Sequence, residues 1–447
     1  MAALRAGGRD SLPRASLGET LGFLSSVVLP VLGKGVILRQ PPMVAMAQRL
    51  GLDRRAVQTV QRLRDRHGDG PLLLPIPLHP YALILSPAHV SRVLELSPEP
   101  YAAASDEKRS ALSHFEPHAV LISGNAERAT RRPYNEAVLD ASCPVHRLAE
   151  RFFAVVEDEA TELVDAARYQ DELDWDRFAI AWWRMARRVV LGEGARDDDA
   201  LTDMIARLRA DANWAFLHPK RRRLRARFLE RLEDHLRRAE PGSLAAIMRA
   251  MPAPPGTDPA GQVPQWLFAL DALARATFRT LALLGTHPAQ RARAEEEIQA
   301  SQGPSGRREL PFLRACVLDT LRLWPTTPVV LRQATADVEW EHGMLAKGSG
   351  IIIFAPFFHR DDTRLPQADR FAPETWLAGR PEDEGLIPFS DGPVRCPGRN
   401  LSLTLASAMV AALLRRNAFT PIGAEDIGPD ERLPGTLNAF ELRFRPG

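Results

Sequence analysis

Between Val263 and Leu284 apolar side chains fall on every side of a helical projection, as Trp266, Leu267, Phe268, Leu270, Leu273, Phe278, Leu281 and Leu284 show. A helix without a polar face needs other elements around its whole circumference, so this chain must build a thick core about it. The 447 residues, 45% hydrophobic and 26% charged, supply that core and exclude disordered and collagen-like states. Lys plus Arg number 58 and Asp plus Glu 56, for a net charge of +2. That balance argues against a nucleic-acid binder dominated by phosphate neutralisation. Only Lys34, Lys108, Lys220 and Lys347 among the basic residues are lysines, a skew of composition rather than of chemistry.

The punctuation around this helix predicts its neighbours. Gly285 and Pro288 mark its stop, Pro288 to Ala300 reads as a charged surface helix, and Pro311 opens another helix that must end before Pro325. Leu148 to Leu163 and Leu217 to Leu236 have helical periodicity, whereas Val338 to Trp340 and Gly350 to Phe354 read as short strands. The expected fold class is mainly α with a minor β-sheet region. No repeat or low-complexity linker divides the chain.

Met1 to Arg9 is basic, but no apolar stretch with a cleavage site follows, so no secretory signal is expected. Leu21 to Leu38 contains Ser25, Ser26, Pro30, Gly33 and Lys34, which leaves it short of the ~20 apolar residues of a spanning helix. It is expected to be a partly buried or docking helix, with no transmembrane anchor. Cys143, Cys316 and Cys396 lie far apart and fit a reducing, cytoplasmic setting better than a disulfide framework.

The chemistry concentrates in Phe389-Ser390-Asp391-Gly392-Pro393-Val394-Arg395-Cys396-Pro397-Gly398-Arg399. Gly392 and Gly398 permit tight turns around the cysteine, and Leu401, Leu405, Met409, Leu413 and Arg416 follow as an amphipathic helix. Cys396 at a helix start would be favoured as a thiolate by unpaired N–H groups and the helix dipole. A lone rigid thiolate is a poor redox pair but a good axial ligand for haem iron. An isolated cysteine beside a turn is ordinarily inert; here the surrounding pattern reverses that reading.

Phe-x-x-Gly-x-x-x-Cys-x-Gly resembles the haem-binding loop of the cytochrome P-450 family, with supporting signals in family order from Arg128 to Phe440. Asp319-Thr320-Leu321-Arg322 resembles the family's Glu-x-x-Arg helix, and residues three apart on a helix can pair. His359-Arg360-Asp361 and Phe371-Ala372-Pro373-Glu374-Thr375-Trp376 resemble the segment before the loop. Thr375 stands where many members carry the third, arginine partner of the pair, which leaves Arg370 or Arg380 as substitutes.

The resemblance implies haem b with Cys396 as its iron ligand, and a cofactor-binding set of Arg128, Arg132, Ala274, Thr277, Arg332, Pro388, Phe389, Arg395, Cys396 and Gly398. Arg128, Arg132 and Arg332 would hold the haem propionates, because an unpaired buried charge is costly. Val394 replaces a usual donor, so Arg395 either helps them or points to the proximal surface. Ala276-Thr277 resembles the acid and threonine of the oxygen-binding groove with the acid missing. Thr277 would then be catalytic, holding water that passes protons to dioxygen. Asp271 is expected to pair with Arg275 instead.

Phe115, His118, Trp214, Phe216, Leu270, Val329, Val330 and Leu437 are the substrate candidates, a mostly apolar set that suits a small, largely hydrophobic organic molecule. Six basic residues from Lys220 to Arg227 read as a solvated helix face. The implied activity is a monooxygenase that uses dioxygen and a separate ferredoxin or flavodoxin with its reductase. Residues 1–447 would form a single haem-thiolate domain with residues 1–44 as an N-terminal extension and no fused reductase. The alternatives are a peroxide-driven or non-oxygenase haem-thiolate enzyme, or a haem-binding sensor or carrier without turnover.

Overall fold

The computed structural model describes residues 12–76, 79–301, 309–416 and 419–447. Met1 to Arg9 lies outside the described residues.

Val263–Thr286 forms one continuous helix, here the central helix, with Pro264 in its first turn, where no N–H is needed. Three helices pack directly on it: Trp175–Leu191, Pro311–Leu323 (the ion-pair helix) and Arg399–Arg416 (the cysteine-loop helix). The helix Ala149–Gln170 backs the first and last of these. Because it is enclosed on these sides, the cysteine-loop helix is buried without interruption from Leu401 to Leu414. It is therefore not the amphipathic helix that the leucine spacing implied.

Ten strands complete the fold: β1 (Leu72–Leu74), β2 (Tyr81–Leu83), β3 (Tyr101–Ala102), β4 (Leu173–Asp174), β5 (Val329–Ala334), β6 (Val338–Trp340), β7 (Gly343–Leu345), β8 (Gly350–Phe354), β9 (Phe419–Pro421) and β10 (Arg443–Pro446). The main sheet has the order β1-β2-β8-β5-β3, with β2 and β8 parallel and the other neighbours antiparallel. Val329 sits opposite Phe354 and Arg332 opposite Ile351. β4-β10-β9 and β6-β7 form the two smaller sheets. A helical core and a separate sheet core result, and β5 carries residues from the second toward the cysteine loop.

Helices Pro288–Ser301 and Pro311–Leu323 match their expected bounds, the latter closing when the Trp324 N–H donates to the Thr320 carbonyl just before Pro325. The helix expected from Leu217 starts only at Arg222, because Pro219 disfavours helical backbone at His218. At the N-terminal end the helical stretch runs from Leu17 to Gly33 rather than from Leu21 to Leu38. Ser16 caps its start, and Gly35, at φ +82°, cannot continue it. Leu17, Leu21 and Leu29 point outward. Among the described residues no helix is long and apolar enough to cross a membrane.

Candidate active site

The cysteine loop is held by its own backbone. The Cys396 N–H donates to the Phe389 carbonyl at 3.0 Å and the Arg395 N–H to the Gly392 carbonyl at 3.0 Å. Gly392 has φ +66°, and a Cβ there would collide with the Leu94 carbonyl, so only glycine fits. Gly398 carries no such demand, since a Cβ would meet nothing closer than 3.9 Å. Helix geometry begins at Arg399, three residues past Cys396, so the thiol is outside the first turn. Burial pushes the Cys396 thiol up, opposed by the Gly398 N–H, Arg132 and Arg399. The helix start therefore acts on this thiol from outside its first turn, and a coordinated metal is what would deprotonate it. Pro388 and Phe389 are half-buried, the latter against the helical core.

Beside the loop stands a cluster of cations. Arg332 donates to Ser97 Oγ at 3.0 Å and to Ser390 Oγ at 3.2 Å, which ties β5 to the loop. Arg128 donates to the Val120 carbonyl at 3.2 Å, and Lys108 to the Ala103 and Leu331 carbonyls at 2.8 and 2.9 Å. Burial, and then the neighbouring Arg128, lowers Arg332 to about 10. Lys108 is pushed well down by burial, then by Arg332 and Arg128. Among the described residues none of the three has a carboxylate partner. Grouped buried cations without counter-charge are costly unless an anion completes them, and a pair of propionates is an anion of that kind. This donor set therefore fits haem.

Two further expected members carry ion pairs of their own: Arg132 donates to Glu136 at 2.6 Å, and Arg395 to Asp391 at 2.9 Å. Lys108 is the member that sequence reasoning missed. Its only signal was its rarity, since a position held by one of four lysines in an arginine-rich chain looked like composition.

Asp319 and Arg322 are fully buried and bidentate, at 2.6 and 3.1 Å. Arg322 also donates to the carbonyls of His359, Ala368 and Arg370. Asp319 accepts from the Ala372 N–H at 2.7 Å and from Trp376 Nε1 at 3.1 Å. The third side-chain partner is thus the Trp376 indole. Arg370 lends only its carbonyl, and Arg380 is exposed beside Asp383 and Asp391.

The partly buried face of the central helix is not the one that carries Thr277. Within its buried span, Gln265, Phe268, Ala269, Ala272 and Arg279 are only partly buried, and their spacing puts them on one stripe. Leu270, Ala274 and Thr277 lie about 150° round the helix from that stripe, at 3.6 residues per turn. Their face packs on Trp175–Leu191, with Trp182 Nε1 donating to the Leu270 carbonyl at 2.9 Å. Thr277 is fully buried and its hydroxyl donates to the Leu273 carbonyl at 3.0 Å, one turn back. The structure therefore does not bring Thr277, Ala274 or Leu270 to the open face, and Thr277 has no free hydroxyl proton there. Ala276 is buried as well.

The stripe instead meets acids. Asp271, on its flank, accepts from Arg209 at 2.6 Å and from Arg275 at 3.0 Å; the Arg275 pairing is the expected one, and Arg209 is new. Burial opposes but these two arginines prevail, holding Asp271 well below the usual carboxylate range. Glu116 is fully buried, and its carboxyl faces the side-chain amide of Gln265. Burial raises its carboxyl well above normal, against the pull of Arg209.

Of the substrate candidates, Phe115 meets the stripe, its ring edge-on to Phe268 at 5.6 Å. Val329 and Val330 lie on β5, half-buried and buried respectively. Leu437 is buried, and its carbonyl accepts from Arg279 at 2.9 and 2.5 Å. Three do not line an enclosed pocket. His118 is exposed and bonded to Asp258, while Trp214 and Phe216 are 41% and 72% exposed in the turn before Arg222. Aromatic character suggested burial there, but no element covers that turn.

Comparisons with known proteins agree with this geometry. The family model described as Cytochrome P450 matches residues 268–439. "Probable cytochrome P450 312a1" of Drosophila melanogaster is 31% identical over 166 residues, 35% of this chain and 32% of that protein. "Cyclooctat-9-en-7-ol 5-monooxygenase" of Streptomyces melanosporofaciens is 30% identical over 148 residues, 31% of this chain and 32% of that protein. The matched stretch thus spans about a third of these relatives' length. Two solved structures share the fold at 17% identity: retinoic acid bound cyanobacterial CYP120A1, with TM-score 0.70 over 87% of this chain and 93% of that one, and the P450DA heme domain, with TM-score 0.69 over 89% and 92%. The cysteine loop, the buried Asp319–Arg322 pair and the cation cluster thus lie in a fold shared with solved P450 structures, and residues 268–439 are similar to the Cytochrome P450 family.

Proposed function

We propose that the protein is a haem-thiolate monooxygenase that inserts one oxygen atom from dioxygen into a small organic substrate. The observation that carries this reading is the half-buried Cys396 loop tied through Ser390 to Arg332, next to Lys108 and Arg128 without a carboxylate among them. Cys396 would be the sole protein ligand of the iron, and Lys108, Arg128 and Arg332 would hold the propionates. When bound, haem with a thiolate ligand supplies the activation of dioxygen. The protein's part is to hold that group, exclude water and supply protons. Glu116, neutral and facing Gln265 on the stripe, is a proton source at the distal face. Asp271 is committed to two arginines and serves to fix them.

Phe115 and Phe268 would give the site an apolar wall suited to a largely hydrophobic substrate body. Two relatives, drimenol monooxygenase of Persicaria hydropiper and cyclooctat-9-en-7-ol 5-monooxygenase of Streptomyces melanosporofaciens, support oxygen insertion into small molecules. We assign electron supply to a separate ferredoxin or flavodoxin with its reductase, and read residues 1–447 as one cytoplasmic haem domain. The test is substrate-dependent oxidation of reduced nicotinamide with such partners and one oxygen atom from labelled dioxygen in the product. Turnover with peroxide alone, and none with the redox partners, would favour a peroxygenase instead.

A further inference from the structure

A second set of cations, partly buried, lies one to two turns along the same stripe. A cleft runs inward from the surface, where Arg432 and Asp362 are exposed, to Arg275 and Arg279 on the central helix. Seven basic side chains line it against three acidic ones. The outer charges are paired: Arg360 and Arg432 with Asp369, Arg432 with Asp362, and Lys34 with Asp53. The inner ones are not. Arg39 donates only to the Gly35 and Thr326 carbonyls, at 2.8 and 2.9 Å, and Arg279 only to the Leu437 carbonyl. Among the described residues neither has a carboxylate within ion-pair distance, and Arg275 shares Asp271 with Arg209.

Val44, Val57, Trp324, Pro328 and Phe440 give the same cleft an apolar wall. Burial and the adjacent arginines lower Arg39 to about 10 and Arg279 to about 9, against the pull of Asp53, which is itself paired with Lys34. Guanidinium groups present planar donor pairs that match carboxylate and phosphate oxygens. Gln265, Phe268, Ala272, Arg275 and Arg279 step by three and four residues along one face, so the cation end and the Phe268 end of the stripe are continuous.

We propose that this cleft binds an organic anion, a molecule with a carboxylate or phosphate head held by Arg39 and Arg279 and an apolar body lying along the central helix toward Ala272. The proposal rests on the monooxygenase reading for its role, since it names the substrate class of that site, but not for the binding itself.

The test uses the full-length haem-loaded protein and three probes of equal chain length: decanoate, decyl phosphate and decanol. Calorimetry reads binding without reference to haem, and the haem absorption spectrum reads whether the bound probe approaches the iron. Either anionic probe should bind about tenfold or more tightly than decanol, and the tighter of the two identifies the head group. Arg39→Gln and Arg279→Gln should each abolish most of that preference and leave decanol affinity unchanged. If a variant does not fold, the wild type still decides, because added sodium chloride should weaken anion binding and not decanol binding. Equal affinity for decanol and both anions, or a preference that survives both substitutions, overturns the proposal. A normal thiolate spectrum with no anion preference would refute this inference alone, whereas an abnormal spectrum would refute the monooxygenase reading.

Discussion

Arg322 Nε and Nη2 lie 2.6 and 3.1 Å from the two carboxylate oxygens of Asp319, with both residues fully buried. Every remaining acceptor site of that carboxylate meets a donor from the segment before the cysteine loop, the Ala372 N–H or the Trp376 indole. Removing one partner of such a pair leaves a buried charge uncompensated, so Arg322→Ala should cost ~3–5 kcal/mol and yield little soluble haem-loaded protein. Trp376→Phe deletes a single hydrogen bond and should cost about 1–2 kcal/mol. Urea midpoints of the two variants give the ranking, and equal midpoints would contradict it.

Gly392 and Gly398 should respond oppositely to alanine. The first combines a left-handed backbone with the Leu94 carbonyl in the place of a Cβ. Gly392→Ala should therefore destabilise by about 1–3 kcal/mol or more and impair haem retention. Gly398→Ala meets only ordinary contact with protein atoms and should fold normally. Thermal melts and haem-to-protein absorbance ratios measure both.

Lys108 offers a test in which the sign depends on the cofactor. Without haem, Lys108 stands beside Arg128 and Arg332 with no anion, and Lys108→Met should stabilise the apoprotein. With haem the same change removes a donor to a propionate and should speed haem loss to an acceptor globin about tenfold. A loss rate equal to wild type would take Lys108 out of the haem site.

Features encoded locally are legible in the chain, and features that depend on distant segments are not. Pro288, Pro311 and Pro325 bound their helices by local backbone rules, and those bounds are as expected, whereas Gly285 lies inside the helix, where a Cβ would collide with Pro421. Asp319 and Arg322 share a helix turn, so their pairing is local too. The rotation of the central helix is not local. With apolar residues all round, its sequence carries no moment to say which side faces the site, and Ala276-Thr277 is too short a signature to fix it. The stripe through Phe268, Ala272 and Arg279 is set by the neighbouring helices. Glu116, Arg209 and Arg39 come from three distant segments and meet only in the fold.

His359 should make stability depend on pH. Its Nε2 accepts from the Ile387 N–H at 2.9 Å, which requires the neutral ring, and burial, then Arg322, lowers its pKa to about 3. The unfolded chain binds this proton near pH 6.5 and the native state does not. The neutral-histidine contribution is therefore complete above about pH 6.5 and shrinks as pH falls from there toward 3. His359→Gln should flatten the decline in urea-unfolding free energy between pH 7 and 5, where other buried histidines keep their own share. An unchanged slope would show that His359 does not titrate on unfolding.

The central claim is that Cys396 binds haem iron as a thiolate. The most direct measurement is the absorption spectrum of the reduced, haem-loaded protein with carbon monoxide, in wild type and in Cys396→Ser. The account predicts the red-shifted Soret band of a thiolate complex in wild type and its loss in the variant. An ordinary band in folded, haem-loaded wild type, or a red-shifted band that survives Cys396→Ser, would contradict it.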